Sequence, residues 1–254
     1  MKRRPVPSLR PVLFAQPLAA LATACATTQP SAWLHPTQQQ WGEARAVWQG
    51  LMAAQSHAPY VAAVATTMRD ARSGRTVDGR GAIAIAPGEA VRMILVGGAG
   101  ATVLDAWVTR KRWRIAVPPL DVVKRGGAED PDGLPVGFLR WWFVTPHDGV
   151  LFAASLGPSG DRWLLRDREA VIDFGIAFRQ GRRRVTATRR SPGHAERIEE
   201  VGNGPSPLAA AVGDHVTYVD ETTGLRVTVA VESIATAPPD PAAFENPDHD
   251  GGGT

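Results

Sequence analysis

Between Trp41 and Met52 the apolar residues Trp41, Ala44, Val47, Trp48, Leu51 and Met52 recur at intervals of three and four, the spacing of one helical stripe. Thr37 stands before this run with Gln40 three positions on, the pairing of a capping box. Pro59 lies beyond, so the helix is expected to stop near Gln55. A helix with a single apolar stripe needs a sheet or a barrel to lie against.

From Tyr60 the period changes from helical to alternating. Segments rich in Val, Ala, Thr and Ile run Tyr60 to Asp70, Thr76 to Ala86, Ala90 to Val96, Ala101 to Thr109 and Arg112 to Val117. Ser73-Gly74, Pro87-Gly88, Gly97-Gly98-Ala99-Gly100 and Arg110-Lys111 separate them, and strands joined by such short turns predict an antiparallel meander. Val122 to Pro135 reads as a loop, and the aromatic run Phe138, Leu139, Trp141, Trp142, Phe143 as a short helix or lid. Strands resume at Gly149 to Ser155, Arg162 to Asp167, Ala170 to Phe178, Arg182 to Arg190, His194 to Val201, His215 to Asp220 and Leu225 to Ile234. The clearest alternation sets Ile172, Phe174, Ile176 and Phe178 against Asp173, Gly175 and Ala177, a strand with one buried face. From Pro238 the chain turns Pro-, Asp- and Gly-rich and is expected to be loose past Phe244.

The count of about eleven or twelve strands with one long helix predicts a mainly β domain with α elements. So many strands curl into a barrel or a strongly bent sheet, whose concave face a helix can plug. The expected architecture is an antiparallel, half-open (unclosed) β-barrel over residues 37–247, wrapped around the N-terminal helix and a short lid helix. Some strands are apolar on both faces: Ile83 and Ile85 with Ala82 and Ala84, and Val91, Met93 and Leu95 with Ile94 and Val96. One face can pack on a helix; the other needs a second layer, a ligand or a membrane.

The first 36 residues read differently. Lys2, Arg3, Arg4 and Arg10 flank a short apolar stretch, Val12 to Ala15 and Leu18 to Ala22, broken by Pro11 and Pro17. It falls short of the roughly 20 apolar residues that span a bilayer, and it ends on Ala22-Thr23-Ala24 before Cys25. This is the layout of an export signal. Residues 1–24 read as a signal peptide, 25–36 as a tether and 248–254 as a flexible tail. Cys25 is the only cysteine, so it has no disulfide partner in an oxidising compartment. Acylation of its sulfur, with palmitate or a similar chain, fits its position; plain cleavage beside an incidental cysteine is the alternative. Losing the four positive residues of the signal takes the formal charge from +3 to about −1, which removes the electrostatic case for nucleic acid.

Catalytic signatures are sparse. Gly97 to Thr102 lacks the Lys-Ser/Thr of a phosphate loop and precedes a strand, so it reads as a hairpin turn. No Gly-x-Ser-x-Gly occurs. The histidines His35, His57, His147, His194, His215 and His249 have no paired metal-ligand spacing, so no metal site or cofactor is expected. Arg182-Arg183-Arg184 and Arg189-Arg190 read as an exposed sheet face, with contact to anionic lipid heads as the alternative.

Four stretches together resemble the LolA/LolB-type lipoprotein-carrier family. They are the helix with Trp48 and Leu51 before a strand at Tyr60; Gly79-Arg80-Gly81-Ala82-Ile83-Ala84-Ile85 leading through Pro87 to Val91-Arg92-Met93-Ile94-Leu95; Gly97 to Gly100 running into Val103-Leu104-Asp105-Ala106-Trp107; and Val229 to Ile234 followed by Asp240-Pro241-Ala242-Ala243-Phe244 and Asn246-Pro247. The resemblance implies an unclosed barrel around helices with an apolar interior that accepts acyl chains. It implies an acylated Cys25, as in LolB-like members, and Ala26 after it implies sorting to the outer membrane, facing the periplasm. Cavity and lid candidates are Trp48, Tyr60, Val91, Met93, Leu95, Phe138, Trp141, Trp142, Ile172 and Phe174. The expected partners are a lipid or acyl chain, the membrane through the anchor, and other lipoproteins as cargo. No catalysis is expected. The alternative is an assembly or scaffold lipoprotein whose barrel is filled and whose surface binds other proteins.

Overall fold

A computed structural model describes residues 37–55, 57–128, 136–145, 148–202 and 210–248. The export signal, the tether and Cys25 lie outside the described residues.

Helix α1 (Gln38–Ala53) starts with the expected capping box: the Gln40 N–H donates to the Thr37 hydroxyl at 3.2 Å, and the Thr37 N–H donates to the Gln40 side chain at 2.9 Å. Two orphan donors of the first turn are satisfied at once. The stripe buries Ala44 and Trp48, while Val47 turns out to solvent.

Among the described residues, thirteen strands follow in two runs. The first holds β1 (Tyr60–Asp70), β2 (Thr76–Ala86), β3 (Ala90–Val96), β4 (Thr102–Thr109), β5 (Arg112–Val117) and β6 (Val122–Gly127). The second holds β7 (Val150–Ser155), β8 (Asp161–Asp167), β9 (Ala170–Arg179), β10 (Arg182–Ser191), β11 (His194–Gly202), β12 (His215–Asp220) and β13 (Leu225–Ile234). Each run is an antiparallel meander, and β1 pairs with β13 to join them into one sheet. That seam runs from Ala62 opposite Ile234 to Asp70 opposite Leu225. Strands β6 and β7 end the sheet at its two edges and do not pair with each other. The barrel is therefore unclosed, as expected. Strand β6 corrects both the loop expected from Val122 and the count of about eleven or twelve. Lys124, Arg125, Gly126 and Gly127 hide a strand because an edge tolerates charge and glycine that a central strand does not.

The chain between the two edges forms the lid: a single turn α2 (Val136–Leu139) that widens into a π-helical turn, Arg140–Val144, closed by the Thr145 N–H donating to the Arg140 carbonyl at 2.8 Å. It buries Val136, Phe138, Leu139, Trp141 and Val144 against the concave side of the sheet. The Phe138 ring bridges the interior, 5.7 Å from Phe143 and 5.6 Å from Tyr218 of β12. On the other half, α1 lies inside β7 to β9. Trp48 sits 5.5 Å from Trp163 and edge-on to Phe174 at 5.4 Å, and the Trp163 indole donates to the Ala44 carbonyl at 3.1 Å. Such aromatic clusters bury large area and fix relative orientation.

The C-terminal segment crosses the outer face of β4 to β6. The Trp107 indole donates to the Phe244 carbonyl at 2.9 Å, and Asp248 accepts from Arg114 at 3.0 Å and from Arg125 at 2.6 Å. Residues 245–248 are thus held, where the sequence alone leads one to expect a loose segment past Phe244. No described helix is long and apolar enough to cross a membrane.

Candidate functional site

Where α1 ends and the lid begins, the two do not fill the barrel. They leave a cavity of about 480 Å³ between the C-terminal turn of α1, the lid, and the inner faces of β1, β2, β12 and β13. Strict alternation along these strands builds its walls: Ala62 and Val64 from β1, Ile83 and Ile85 from β2, Val229 and Val231 from β13, and Val216 from β12. Met52 of α1 and Phe138, Trp142 and Phe143 of the lid close it. Its volume falls in the roughly 300–1,000 Å³ range of small-molecule sites.

Among the cavity candidates read from the sequence, Tyr60, Phe138 and Trp142 line this space. The others belong to packed core. Trp48, Ile172 and Phe174 fill the half under α1; Val91, Met93 and Leu95 are fully buried on the inner face of β3, and Trp141 is buried within the lid. Physically, the largest apolar side chains complete the core, and the space remains beside the inner faces of β1, β12 and β13, whose lining apolar residues are, apart from Tyr60, Ala and Val.

The cavity also has a polar wall. Glu200 of β11 and Asp214 of the β11–β12 connection line it, and Arg183 of β10, 1% exposed, pairs with both. The guanidinium is in hydrogen-bond contact with Glu200 and 3.5 Å from Asp214. Asp214 also accepts from the Ala211 N–H at 2.8 Å. Arg182 and Arg184 are exposed as read, but Arg183 is not, because alternation sets it on the same side as the buried Val185 and Ala187. Burial pushes the Glu200 carboxyl up to about 7 against the pull of Arg183, and burial beside Glu200 pushes the Tyr60 hydroxyl to about 12. At the rim, Glu89 and Asp148 flank Arg110, whose guanidinium donates to the Gly88 carbonyl and lies 3.5 Å from Asp148.

A second buried polar group sits at the opposite ends of β10 and β11. Tyr218 donates to Glu196 at 2.9 Å, and Arg189 bridges Glu196 at 3.3 Å and Asp167 at 3.2 Å. Burial raises the Glu196 carboxyl. This group does not line the cavity.

No protein-family model matches the chain, and no curated protein matches its sequence. Solved structures do. A LolA superfamily protein from Nitrosomonas europaea is similar over 81% of this chain and 98% of its own, at 10% identity and a TM-score of 0.52. A protein domain from Vibrio parahaemolyticus named for outer membrane lipoprotein sorting covers 78% of this chain and 94% of its own, at 9% identity and a TM-score of 0.46. A DUF1329 family protein from Desulfovibrio piger covers 81% and 97%, at 10% identity and a TM-score of 0.41. With an unclosed antiparallel sheet curled around an N-terminal helix and a lid, this chain has the LolA/LolB-type fold.

Proposed function

We propose that this chain is a lipid-anchored envelope protein, held on the outer membrane through Cys25 and facing the periplasm, that shelters an acyl chain of a lipid or lipoprotein between its curled sheet and its lid. The observation that carries this reading is the cavity of about 480 Å³ with aliphatic walls and an aromatic lid. Each methylene moved there from water is stabilised by about 0.8 kcal/mol, so a hydrocarbon tail supplies its own affinity without any reaction. The work is burial and hand-over, with no bond made or broken.

The full chain, stripped of bound lipid, is expected to raise the fluorescence of the neutral apolar dye N-phenyl-naphthylamine. Ala62→Phe, which puts a ring into the cavity at an overpacking cost of about 1–3 kcal/mol, is expected to abolish the rise while the far-UV spectrum stays the same. Wild-type protein that leaves the dye dark ends this reading. It would favour instead a scaffold with a filled interior, to which the solid packing of Trp48, Trp163 and Phe174 in the other half already lends support. Incorporation of labelled palmitate that persists in Cys25→Ala would remove the anchor from the proposal.

A further inference from the structure

The hairpin that joins β9 to β10 ends in two arginines set against each other. Its turn is Gln180-Gly181, with φ of 54° and 74°, and Arg179 stands directly opposite Arg182 in the register. Both side chains are exposed, and neither has an acidic partner among the described residues. Exposed arginines nearby are matched: Arg184 pairs with Glu199, and Arg80 with Glu232. Like charges facing each other across a strand pair destabilise it, so the tip carries a repulsion that the fold leaves unbalanced. Phe178 stands beside the pair. The alternation of β9 gives it the inner face with Ile172, Phe174 and Ile176; those three are buried, whereas Phe178 is 73% exposed. The apolar stripe thus overruns the core by one residue. The register puts this tip at the same end of the sheet as the cavity rim. Phe178 lies opposite Arg183, Arg183 opposite Gly202, Val201 opposite His215 and His215 opposite Ala230. From there Ile234 leads to Ala62, and Tyr60 to Ile85 beside the Pro87-Gly88 turn that lines the rim.

We propose that the β9–β10 hairpin tip docks on an anionic lipid surface, with Phe178 set among the headgroups and Arg179 and Arg182 on their phosphates, and so turns the cavity rim towards the bilayer. The charge argues for an anionic surface over a neutral one. A layer of phosphates relieves the repulsion between the two guanidinium groups, and each guanidinium offers a planar fork that fits a phosphate. A negative membrane surface also attracts cations held close to it. The aromatic ring argues for a lipid surface over a soluble anion, because a free phosphate would leave Phe178 in water, whereas the interfacial region of a bilayer removes its apolar area from water. The tip is closed by a two-residue turn between paired strands, so little chain has to be ordered on contact. This surface lies outside the cavity and stands whether or not the cavity holds a hydrocarbon tail.

The test uses the full chain with Cys25→Ala, which removes the only cysteine and with it any acyl anchor. Gln180→Cys at the tip, or Glu169→Cys in the turn at the opposite end of β9, then carries a nitrobenzoxadiazole label, whose emission brightens and shifts to the blue on leaving water. The N-terminal apolar stretch is common to both labelled chains, so binding through it does not separate them. Vesicles of phosphatidylcholine alone are compared with vesicles of equal parts phosphatidylcholine and phosphatidylglycerol. The tip label is expected to brighten and shift on the anionic vesicles only, and the label at position 169 to stay as in buffer. Phe178→Ser is expected to abolish the blue shift. Arg179→Gln with Arg182→Gln is expected to raise the lipid concentration at half response at least about tenfold. All three side chains are exposed, so the circular dichroism spectrum is expected to stay as in the parent chain. A tip label that remains in water on anionic vesicles overturns the proposal and assigns the arginine pair to an acidic protein surface instead. An equal response on neutral vesicles, an equal response from the two labels, or an undiminished response in the double arginine variant overturns it as well.

Discussion

Glu200 sits where two costs oppose each other: burial disfavours its charge, and Arg183 rewards it. An ordinary glutamate releases its proton near 4.5, and this one in the folded chain holds it to about 7. Between these values the folded state binds the proton that the unfolded state has lost, so stability falls as pH rises through the window. The melting temperature is expected to drop from about pH 5 to about pH 8 and to drop less in Glu200→Gln, a difference that calorimetric scans would read directly. Gly202 is the neighbour that makes the pair possible. A Cβ there would lie 2.1 Å from an Asp214 carboxylate oxygen and 3.0 Å from the Arg183 guanidinium. Gly202→Ala is expected to cost about 1–3 kcal/mol in urea denaturation, as overpacking of a site with no slack. These residues were half legible in advance. The two-residue period places Arg183 with Val185 and Ala187, and Glu196 and Glu200 with Ile198, all on inner faces. Residue type pointed the other way, because a charge is normally solvated, and only cross-strand pairing reveals the partner that lets it stay inside.

At the scale of elements, the capped helix, the short hairpins and the aromatic lid were readable because their signals are local: a cap three residues from its partner, a glycine in a turn, an alternation within one strand. Gly81 of β2 shows what such signals miss. A Cβ there would stand 1.9 Å from the Ile94 carbonyl oxygen, so the close approach of β2 and β3 requires glycine at a position the pattern leaves unexplained. The C-terminal strap is another case, since Pro, Asp and Gly look loose until their partners are known. Arg125 and Arg114 hold the Asp248 carboxyl well below its ordinary 3.8, at about 2. The contribution of the Asp248 carboxylate to the strap is therefore complete at neutral pH and is lost as pH falls from about 4 towards about 2. Hydrogen exchange of residues 244–248 is expected to rise in that range, and to be high already at neutral pH in Asp248→Asn. Unchanged protection in the variant would assign the strap to Trp107 alone.

The whole molecule depends on one long-range pairing. Strands β1 and β13 lie far apart in sequence and adjacent at the centre of the sheet, while consecutive strands β6 and β7 end up at its open edges. A chain ending at Gly224 loses β13 and leaves β1 and β12 without a shared neighbour. It is expected to lose its cooperative thermal transition, whereas a chain ending at Glu245 keeps β13 and is expected to melt cooperatively. Similar transitions in both would mean that the two meanders fold without their seam. Period, turn chemistry and capping were enough to establish a curled antiparallel sheet with a helix and a lid, since each acts within a few neighbouring residues. The cavity and its acidic wall came only with the folded chain. Empty space is what remains after α1 and the lid have claimed the rest of the interior, and a buried charge is tolerated only once distant strands bring its counter-ion beside it.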